Sequence, residues 1–339
     1  MSTRVLICDD SKIARKQLAR ALPTDWAVSV EFAEHGQEAL DMLKVTPFDI
    51  VFLDLNMPVK DRYETLEALK SFVPMPSVIV VSGDVQPKAI QRVMDMGAIA
   101  FHKKPASMEE LRRLLISLEL FSEGESNKTG GIAIKELTAA EQFTLSECLQ
   151  EVSNVAMGRA ASVLANMLNV FIKLPVPKVN ILEVGELHMA LDYSVKEDRC
   201  SAVSQGFVGS GIAFESLLIF SDSSLPDMAK LLNVTETIDS VVEVELFMDV
   251  SSVLVGPFID AFGKQLNIDF SHSHPVLLAR HAKVAELVDA KKAKWRRTLA
   301  VEIVYEVENY QISCDLMLLF TEDSVSVLEN LLSYLVEED

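Results

Sequence analysis

The sequence predicts an α/β protein: a (βα)5 doubly wound parallel sheet, followed by an α+β domain with an internal pseudo-two-fold repeat of two long helices on a β-sheet. Three observations carry this prediction. Five short apolar runs near the start are each followed by an amphipathic segment, as parallel strands joined by helices require. Polar residues stand at the ends of four of these runs. Two long helical segments in the second half share one pattern at a constant offset, which indicates a duplication.

Length and composition bound the class of protein. The 339 residues exceed what one hydrophobic core usually organises, which favours about two domains. With 49% hydrophobic and 24% charged residues, the composition is that of a folded protein. The net charge of −19 disfavours binding to nucleic acid or to an anionic membrane.

The sequence shows no pattern of a signal peptide or a membrane span. Its start, MSTRVLICDDSK, lacks a long apolar core, and no run approaches about 18 apolar residues. We therefore expect a cytoplasmic protein without membrane insertion. The four cysteines lie far apart in apolar stretches and form no CxxC pair, so we expect buried free thiols.

Five β-branched or apolar runs alternate with helix-like segments in the first part of the chain. In a parallel sheet covered on both faces, right-handed crossovers lead to a doubly wound sandwich. Ligands then bind beyond the carboxyl ends of the strands. The predicted strands are Val5 to Cys8, Ala27 to Phe32, Ile50 to Leu53, Val78 to Val81 and Ile99 to His102.

Polar side chains stand at four of these strand ends. Three carboxylates in one crevice repel each other unless a hard cation neutralises them, and oxygen ligands suit Mg²⁺. A lysine and a hydroxyl opposite them would bind the oxygens of a phosphoryl group. Taken singly, these residues are also typical of helix caps and turns, but their joint order favours phosphoryl transfer to a carboxylate. The residues are Asp9, Asp10, Asp54, Asn56, Ser82 and Lys104.

The motifs CDDS, DLNMP, VSG and KKP, in that order, resemble the receiver domain of two-component response regulators over residues 3–120. The resemblance implies that Asp54 is the phosphoacceptor and that a histidine kinase is the phosphodonor. It also implies a Mg²⁺ site in which Asp10, Asp54 and the backbone carbonyl of Asn56 contact the metal. Asp9 would support that metal through water.

The same resemblance implies a switch. Ser82 would move onto the phosphoryl oxygens, Lys104 would bond to them, and Phe101 would change rotamer. One departure affects the loop after DLNMP, where the family usually has glycine after an acidic residue. Here Arg62 follows Asp61, which is strained wherever positive φ is needed.

A linker separates two predicted domains. Residues 122–131, SEGESNKTGG, are polar and have no periodicity. We predict a receiver domain at residues 1–121, a linker at 122–136 and a second domain at 137–339. The basic cluster at residues 291–297, KKAKWRR, is a candidate contact for an acidic surface, or a solvated hairpin turn.

The second domain contains a repeated motif. The segments ECLQEVSNVAMG and ELFMDVSSVLVG align without gaps at an offset of 98 residues, which indicates an internal duplication. The matched pairs are Glu147 with Glu245, Glu151 with Asp249, Ser153 with Ser251, Asn154 with Ser252, Gly158 with Gly256 and Pro177 with Pro275.

Glu151 and Asn154 lie almost one turn apart on the first of these helices. One interpretation is a solvated polar stripe. The other is chemical, because an amide can orient an attacking water while the acid pairs with a lysine of a docked phosphoprotein. Asp249 is shorter than glutamate, and Ser252 has no amide, so we predict one competent and one degenerate site.

The repeated E-x3-E-x2-N pattern with its later proline resembles the CheC, CheX and FliY class of chemotaxis phosphatases from residue 137 onward. Its first position, usually Asp or Ser, is Glu147 here. The resemblance implies hydrolysis of the aspartyl phosphate of a CheY-type receiver, with Glu151 engaging the target's lysine and Asn154 orienting the water. Two alternatives remain: a non-catalytic docking module for a receiver, a CheD-like protein or the flagellar switch, and a phosphate sink for a shared histidine kinase.

Overall fold

The computed structural model describes residues 2–57, 62–122, 133–134, 143–183, 199–234, 238–282 and 297–337. The chain divides into two compact units, Met1–Glu147 and Cys148–Asp339. Most of the predicted linker and the basic cluster before Arg297 lie outside the described residues, so the predicted domain boundaries stay predictions. None of the helices in the described ranges combines the length and hydropathy needed to cross a membrane.

The N-terminal unit alternates strands and helices. Its sheet is parallel, in the order β5-β4-β3-β1-β2-β6, which confirms the predicted five-stranded doubly wound core. The short strand β6 was not predicted, because two residues carry no periodicity. The elements are β1 (Thr3–Cys8), α1 (Lys12–Ala21), β2 (Val28–Ala33), α2 (Gly36–Val45), β3 (Ile50–Leu53), α3 (Arg62–Leu69), β4 (Ser77–Ser82), α4 (Pro87–Asp95), β5 (Ala100–Lys103), α5 (Met108–Ser117) and β6 (Ala133–Ile134).

Helices cover both faces of this sheet, because successive strand residues point to opposite sides. Leu6 and Leu53 belong to a buried cluster that includes residues of α2, α3 and α4. Ile7 and Phe52 belong to a second cluster with residues of α1 and α5. Two apolar layers therefore fix the strands and bring their carboxyl ends to one edge.

Local sequence sets the helix starts near that edge. Ser11 caps α1 by accepting a hydrogen bond from the amide of Ala14, which satisfies one of the free donors of the first turn. Arg62 is the first residue of α3, a helical position that any L-residue adopts. The expected strain therefore does not arise at Arg62, while Asp61 lies outside the described residues.

The C-terminal unit has an antiparallel sheet with helices, and both long helices predicted from the sequence are present. The sheet order is β11-β9-β10-β14-β13-β7, with β12 also beside β9 and β8 beside β13. The elements are α6 (Leu145–Leu168), β7 (Ile172–Lys173), β8 (Lys178–Glu183), β9 (Cys200–Gly209), β10 (Ile212–Ser221), α7 (Leu225–Leu231), α8 (Ser240–Leu266), β11 (Ser271–His272), β12 (Val276–Ala282), β13 (Arg297–Val307), β14 (Ser313–Phe320) and α9 (Glu322–Glu337).

Aromatic side chains join α8 to the centre of this sheet. Antiparallel pairing places Phe214 of β10 opposite Phe320 of β14. The ring of Phe262 lies 6.4 Å from that of Phe214 and 6.3 Å from that of Phe320, between centroids. Such pairs add about 0.5–1.5 kcal/mol each beyond the area that they bury. All four cysteines of the chain are buried and free, as the sequence predicts.

Candidate functional site

Three carboxylates lie together at the carboxyl ends of β1 and β3. One oxygen each of Asp9, Asp10 and Asp54 lies within 4.8 Å of the others. The parallel register places Cys8 beside Leu53, and the amide of Asp54 donates a 2.9 Å hydrogen bond to the carbonyl of Cys8. The residue that follows each strand is therefore held at the same edge of the sheet.

Lys104, directly after β5, reaches this carboxylate cluster. Its Nζ lies 2.7 Å from Oδ2 of Asp9 and 3.2 Å from Oδ2 of Asp54. Asp9, Asp54 and Lys104 are 3%, 1% and 5% exposed. Three carboxylates, of which Asp10 is half-buried, beside one ammonium leave an excess of two negative charges. That excess matches one divalent cation.

The oxygens of Asp54 are held differently. Oδ1 accepts a 2.7 Å hydrogen bond from the amide of Leu55, whereas Oδ2 faces the ammonium of Lys104 at 3.2 Å. The carboxylate donor set suits a hard cation, so the residues present fit Mg²⁺. Asn56, whose backbone carbonyl is the further predicted ligand, is 3% exposed after β3.

The predicted switch residues lie on the two neighbouring strands. Ser82 ends β4 and is fully buried, and its Oγ accepts a 3.2 Å hydrogen bond from the amide of Asp84. Phe101 of β5 is partly buried against the cluster that includes Leu6 and Leu53. Both side chains therefore belong to the same parallel sheet as the acids, and their switching roles stay predictions.

Sequence reasoning missed Arg15. This α1 residue is 8% exposed, and its Nη1 donates a 2.6 Å hydrogen bond to the backbone carbonyl of Asp9. Its Nη2 lies 2.9 Å from Oε1 of Glu34. One signal was available in the sequence. Arg15 precedes Leu18 by three residues and Ala19 by four, which places it on the apolar face of the helix.

Two titratable groups beside the strand ends are held neutral. Burial, with the charges of Asp9 and Asp54 adding to it, raises the pKa of the Cys8 thiol well above its usual range. This thiol therefore stays protonated and is a poor nucleophile. Burial also lowers the pKa of His102 in β5 from its ordinary value.

The two copies of the C-terminal motif differ in exposure. Glu151 and Asn154 on α6 are only 7% and 4% exposed, which rules out a solvated polar stripe. Asp249 and Ser252 on α8 are exposed. The hydroxyl of Ser252 donates a 2.8 Å hydrogen bond to the carbonyl of Met248 in its own helix, as helical serines often do.

Comparison with known proteins identifies the N-terminal unit. Residues 5–116 match the family model of the response regulator receiver domain. The chain is 30% identical over 105 residues to chemotaxis protein CheY of Halobacterium salinarum, a match that covers 31% of this chain and 87% of that protein. The fold and the acidic cluster thus define a CheY-like receiver domain. Through this domain the chain belongs to the response regulator family of two-component signalling.

A relative larger than CheY also matches over about this domain. A protein-glutamate methylesterase/protein-glutamine glutaminase of Halalkalibacterium halodurans is 36% identical over 121 residues, which cover 33% of this chain and 35% of that protein. The chain thus spans about a third of that relative. The solved structure of Thermotoga maritima FliY is 17% identical, covers 57% of this chain and 98% of that chain, and has a TM-score of 0.43. A likeness this distant assigns no function to the C-terminal unit.

Proposed function

We propose that the chain is a chemotaxis-type response regulator that accepts a phosphoryl group on Asp54 from a histidine kinase. One observation carries this proposal: the cluster of Asp9, Asp10 and Asp54 with the ammonium of Lys104 3.2 Å from the buried Asp54. Reactions of this kind depend on positioning and on charge neutralisation. The cluster offers both on a rigid sheet.

Each residue of the cluster has a role in this proposal. Asp10, Asp54 and the carbonyl of Asn56 would hold Mg²⁺, with Asp9 supporting it. The ion, when bound, neutralises the charge that develops on the transferred group. Asp54 would supply the attacking carboxylate oxygen, with Oδ1 held by the amide of Leu55 and Oδ2 facing the ammonium of Lys104. The ammonium of Lys104 compensates part of the negative charge of Asp9 and Asp54.

The switch would follow from the same contacts. A phosphoryl group on Asp54 would draw the hydroxyl of Ser82 and the ammonium of Lys104, and Phe101 would follow into the space that opens. Because Lys104 already pairs with Asp9 at 2.7 Å, phosphorylation would redistribute an existing ion pair. This is a local charge change that biases a two-state element.

We also propose that the C-terminal unit is a duplicated, CheC-like phosphatase that hydrolyses the aspartyl phosphate of a CheY-type receiver and so terminates signalling. The order of a long helix, two short strands, a hairpin and a further helix occurs twice among the described elements, from α6 to α7 and from α8 to α9. The two hairpins meet through β10 and β14 at the centre of the sheet. This arrangement supports the duplication.

Glu151 and Asn154 would form the competent site, with Glu151 engaging the target's lysine and Asn154 orienting the water. Burial to 7% and 4% exposure sets this carboxylate and amide apart from a solvated polar stripe, which favours the chemical interpretation of the pair. It also means that a target reaches the pair only after a movement. Phosphorylation of Asp54 is the proposed trigger of that movement.

A specific observation favours a second candidate. The motif residues on α8 are exposed, and the hydroxyl of Ser252 donates its hydrogen bond within its own helix. Such a surface could bind a partner without catalysing a reaction. In that case the unit would bind a receiver, a CheD-like protein or the flagellar switch, or the receiver domain would act as a phosphate sink.

A phosphatase assay separates these candidates. A phosphorylated CheY-type receiver is mixed with catalytic amounts of wild type, Asn154→Ala and the matched control Ser252→Ala, and loss of the acyl phosphate is followed. We expect wild type and Ser252→Ala to shorten its lifetime and Asn154→Ala to leave it unchanged. An unchanged lifetime with wild type, before and after treatment with a small phosphodonor, would reject catalysis.

A further inference from the structure

We propose that Arg15 is a positioning residue of the receiver site, which holds the backbone of Asp9 and Asp10 so that their carboxylates converge on the metal. The inference rests on the proposed function, since it concerns how Asp54 and its Mg²⁺ site are assembled. It assigns a role to an α1 residue that itself contacts no reacting atom.

The guanidinium of Arg15 spans two strand ends. Nη1 lies 2.6 Å from the backbone carbonyl of Asp9 and 3.4 Å from that of Asp10. Nη2 lies 2.9 Å from Oε1 of Glu34, which directly follows β2. A planar guanidinium has donors in a fixed fork. It therefore ties the loop after β1 to the end of β2 in one orientation.

The choice of acceptors matters, because Arg15 binds the carbonyl of the first acid and leaves its carboxylate to other partners. Oδ1 of Asp9 accepts a 2.9 Å hydrogen bond from the amide of Ser11, and Oδ2 lies 2.7 Å from Nζ of Lys104. Fixing both carbonyls fixes the peptide planes from which the two acidic side chains start. Arg15 thereby orients the carboxylates of Asp9 and Asp10 without neutralising their charge.

The charge of Arg15 is compensated outside the acidic cluster. Its side chain is 9% exposed, whereas that of Glu34 is 60% exposed. A buried arginine is unfavourable unless its donors are satisfied, and Glu34 with the two carbonyls supplies acceptors. The pair is neutral as a whole, so the net negative charge that attracts a cation to Asp9, Asp10 and Asp54 is retained.

Outer contacts of this kind have a measurable effect, since loss of a residue that orients metal ligands typically weakens metal binding or activity by about 10- to 100-fold. We expect Arg15→Ala in the full chain to raise the Mg²⁺ dissociation constant about 10-fold. Arg15→Lys should recover only part of this loss, because an ammonium cannot serve the carbonyls and Glu34 together.

The test is titration calorimetry with MgCl₂ on the full chain, together with the rise in melting temperature that saturating Mg²⁺ produces. Arg112→Ala is the matched control, since Arg112 pairs with Asp25 at 2.7 Å in the same unit. This pair does not belong to the cluster of Asp9, Asp10 and Asp54. We expect this control to bind Mg²⁺ like wild type. Glu34→Ala removes only the exposed carboxylate that pairs with Arg15. Like Arg15→Ala, it should weaken Mg²⁺ binding, but only by roughly 3-fold.

The outcomes are distinguishable. An unchanged Mg²⁺ dissociation constant in folded Arg15→Ala would overturn the positioning role while the receiver proposal stands. If Arg15→Ala does not fold, wild-type affinity in both Arg15→Lys and Glu34→Ala would overturn it instead. If wild type itself binds no Mg²⁺, the metal part of the proposed function fails, and the inference fails with it.

Discussion

The ammonium of Lys104 lies 3.2 Å from the carboxylate of Asp54, and their side chains are only 5% and 0% exposed. Attraction between two buried charges is strong at this distance. The same lysine also lies 2.7 Å from Asp9. Lys104 thus compensates two of the three acids, which makes it a determinant of stability as well as a proposed phosphoryl ligand.

Replacing Lys104 should therefore destabilise the receiver unit. We expect Lys104→Met to lower the free energy of unfolding by about 3 kcal/mol, since removing one partner leaves buried charges uncompensated. Saturating Mg²⁺ should restore part of this loss. Urea unfolding is followed by the fluorescence of buried Trp26 in a Trp295→Phe background.

The neighbouring lysine is the control for this experiment. Lys103 is 61% exposed and lies 4.0 Å from Glu110, so Lys103→Met should change stability by less than about 0.5 kcal/mol. Equal stabilities of Lys104→Met and Lys103→Met would contradict the assigned role of the buried ion pair.

His102 should make the receiver unit less stable in mild acid. Burial holds the pKa of this histidine below its ordinary value of 6.5, with Glu110 opposing and Lys103 adding to the shift. The unfolded chain therefore binds a proton, as the pH falls through about 6.5, that the folded unit does not bind. Stability should fall by up to about 1.4 kcal/mol per pH unit in this window.

His102→Gln tests this assignment, because glutamine does not titrate. The same fluorescence measurement, repeated between about pH 7 and pH 5, should show a flatter dependence for His102→Gln than for wild type. Parallel curves would mean that another group causes the loss of stability in acid.

Asp315 should act in the opposite direction in the C-terminal unit. Burial, with Glu302 adding to it and Lys178 opposing, raises the pKa of Asp315 from 3.8 to about 7. The folded unit then holds a proton that the unfolded chain has released, so stability present below about pH 4 is lost as the pH rises through about 7.

Asp315→Asn removes this dependence by keeping the side chain neutral. Above about pH 7 we expect the variant to exceed wild type in stability by roughly 2 to 4 kcal/mol. Slower hydrogen exchange of β14 amides measures the gain, with the exposed Asp260→Asn as control. Equal exchange rates in wild type and Asp315→Asn would remove the assigned penalty.

The strand ends of the receiver domain could be predicted from sequence, because continuous apolar runs mark buried parallel strands and the register fixes the one or two residues that follow each run. Asp9, Asp54 and Lys104 stand at such positions. The contact of Arg15 could not be predicted, because its main acceptors are backbone carbonyls and its partner Glu34 is far along the chain. Only its place on an apolar helix face gave a signal.

The C-terminal motif shows where helical spacing stops being informative. Spacing places Glu151 and Asn154 on neighbouring positions of one face, but it does not say what covers that face. The structure buries them while leaving Asp249 and Ser252 exposed. The repeated motif was visible in the sequence, and the unequal environments of its two occurrences were not.

Phosphorylation of Asp54 is tested most directly by intact-mass measurement of the full chain after incubation with a small phosphodonor such as acetyl phosphate. We expect wild type to gain one phosphoryl group in Mg²⁺ and almost none in excess chelator, and Asp54→Asn to gain none in either. The account would be contradicted if Asp54→Asn gained as much phosphoryl group as wild type. It would also be contradicted if wild type gained the same amount with Mg²⁺ and with excess chelator.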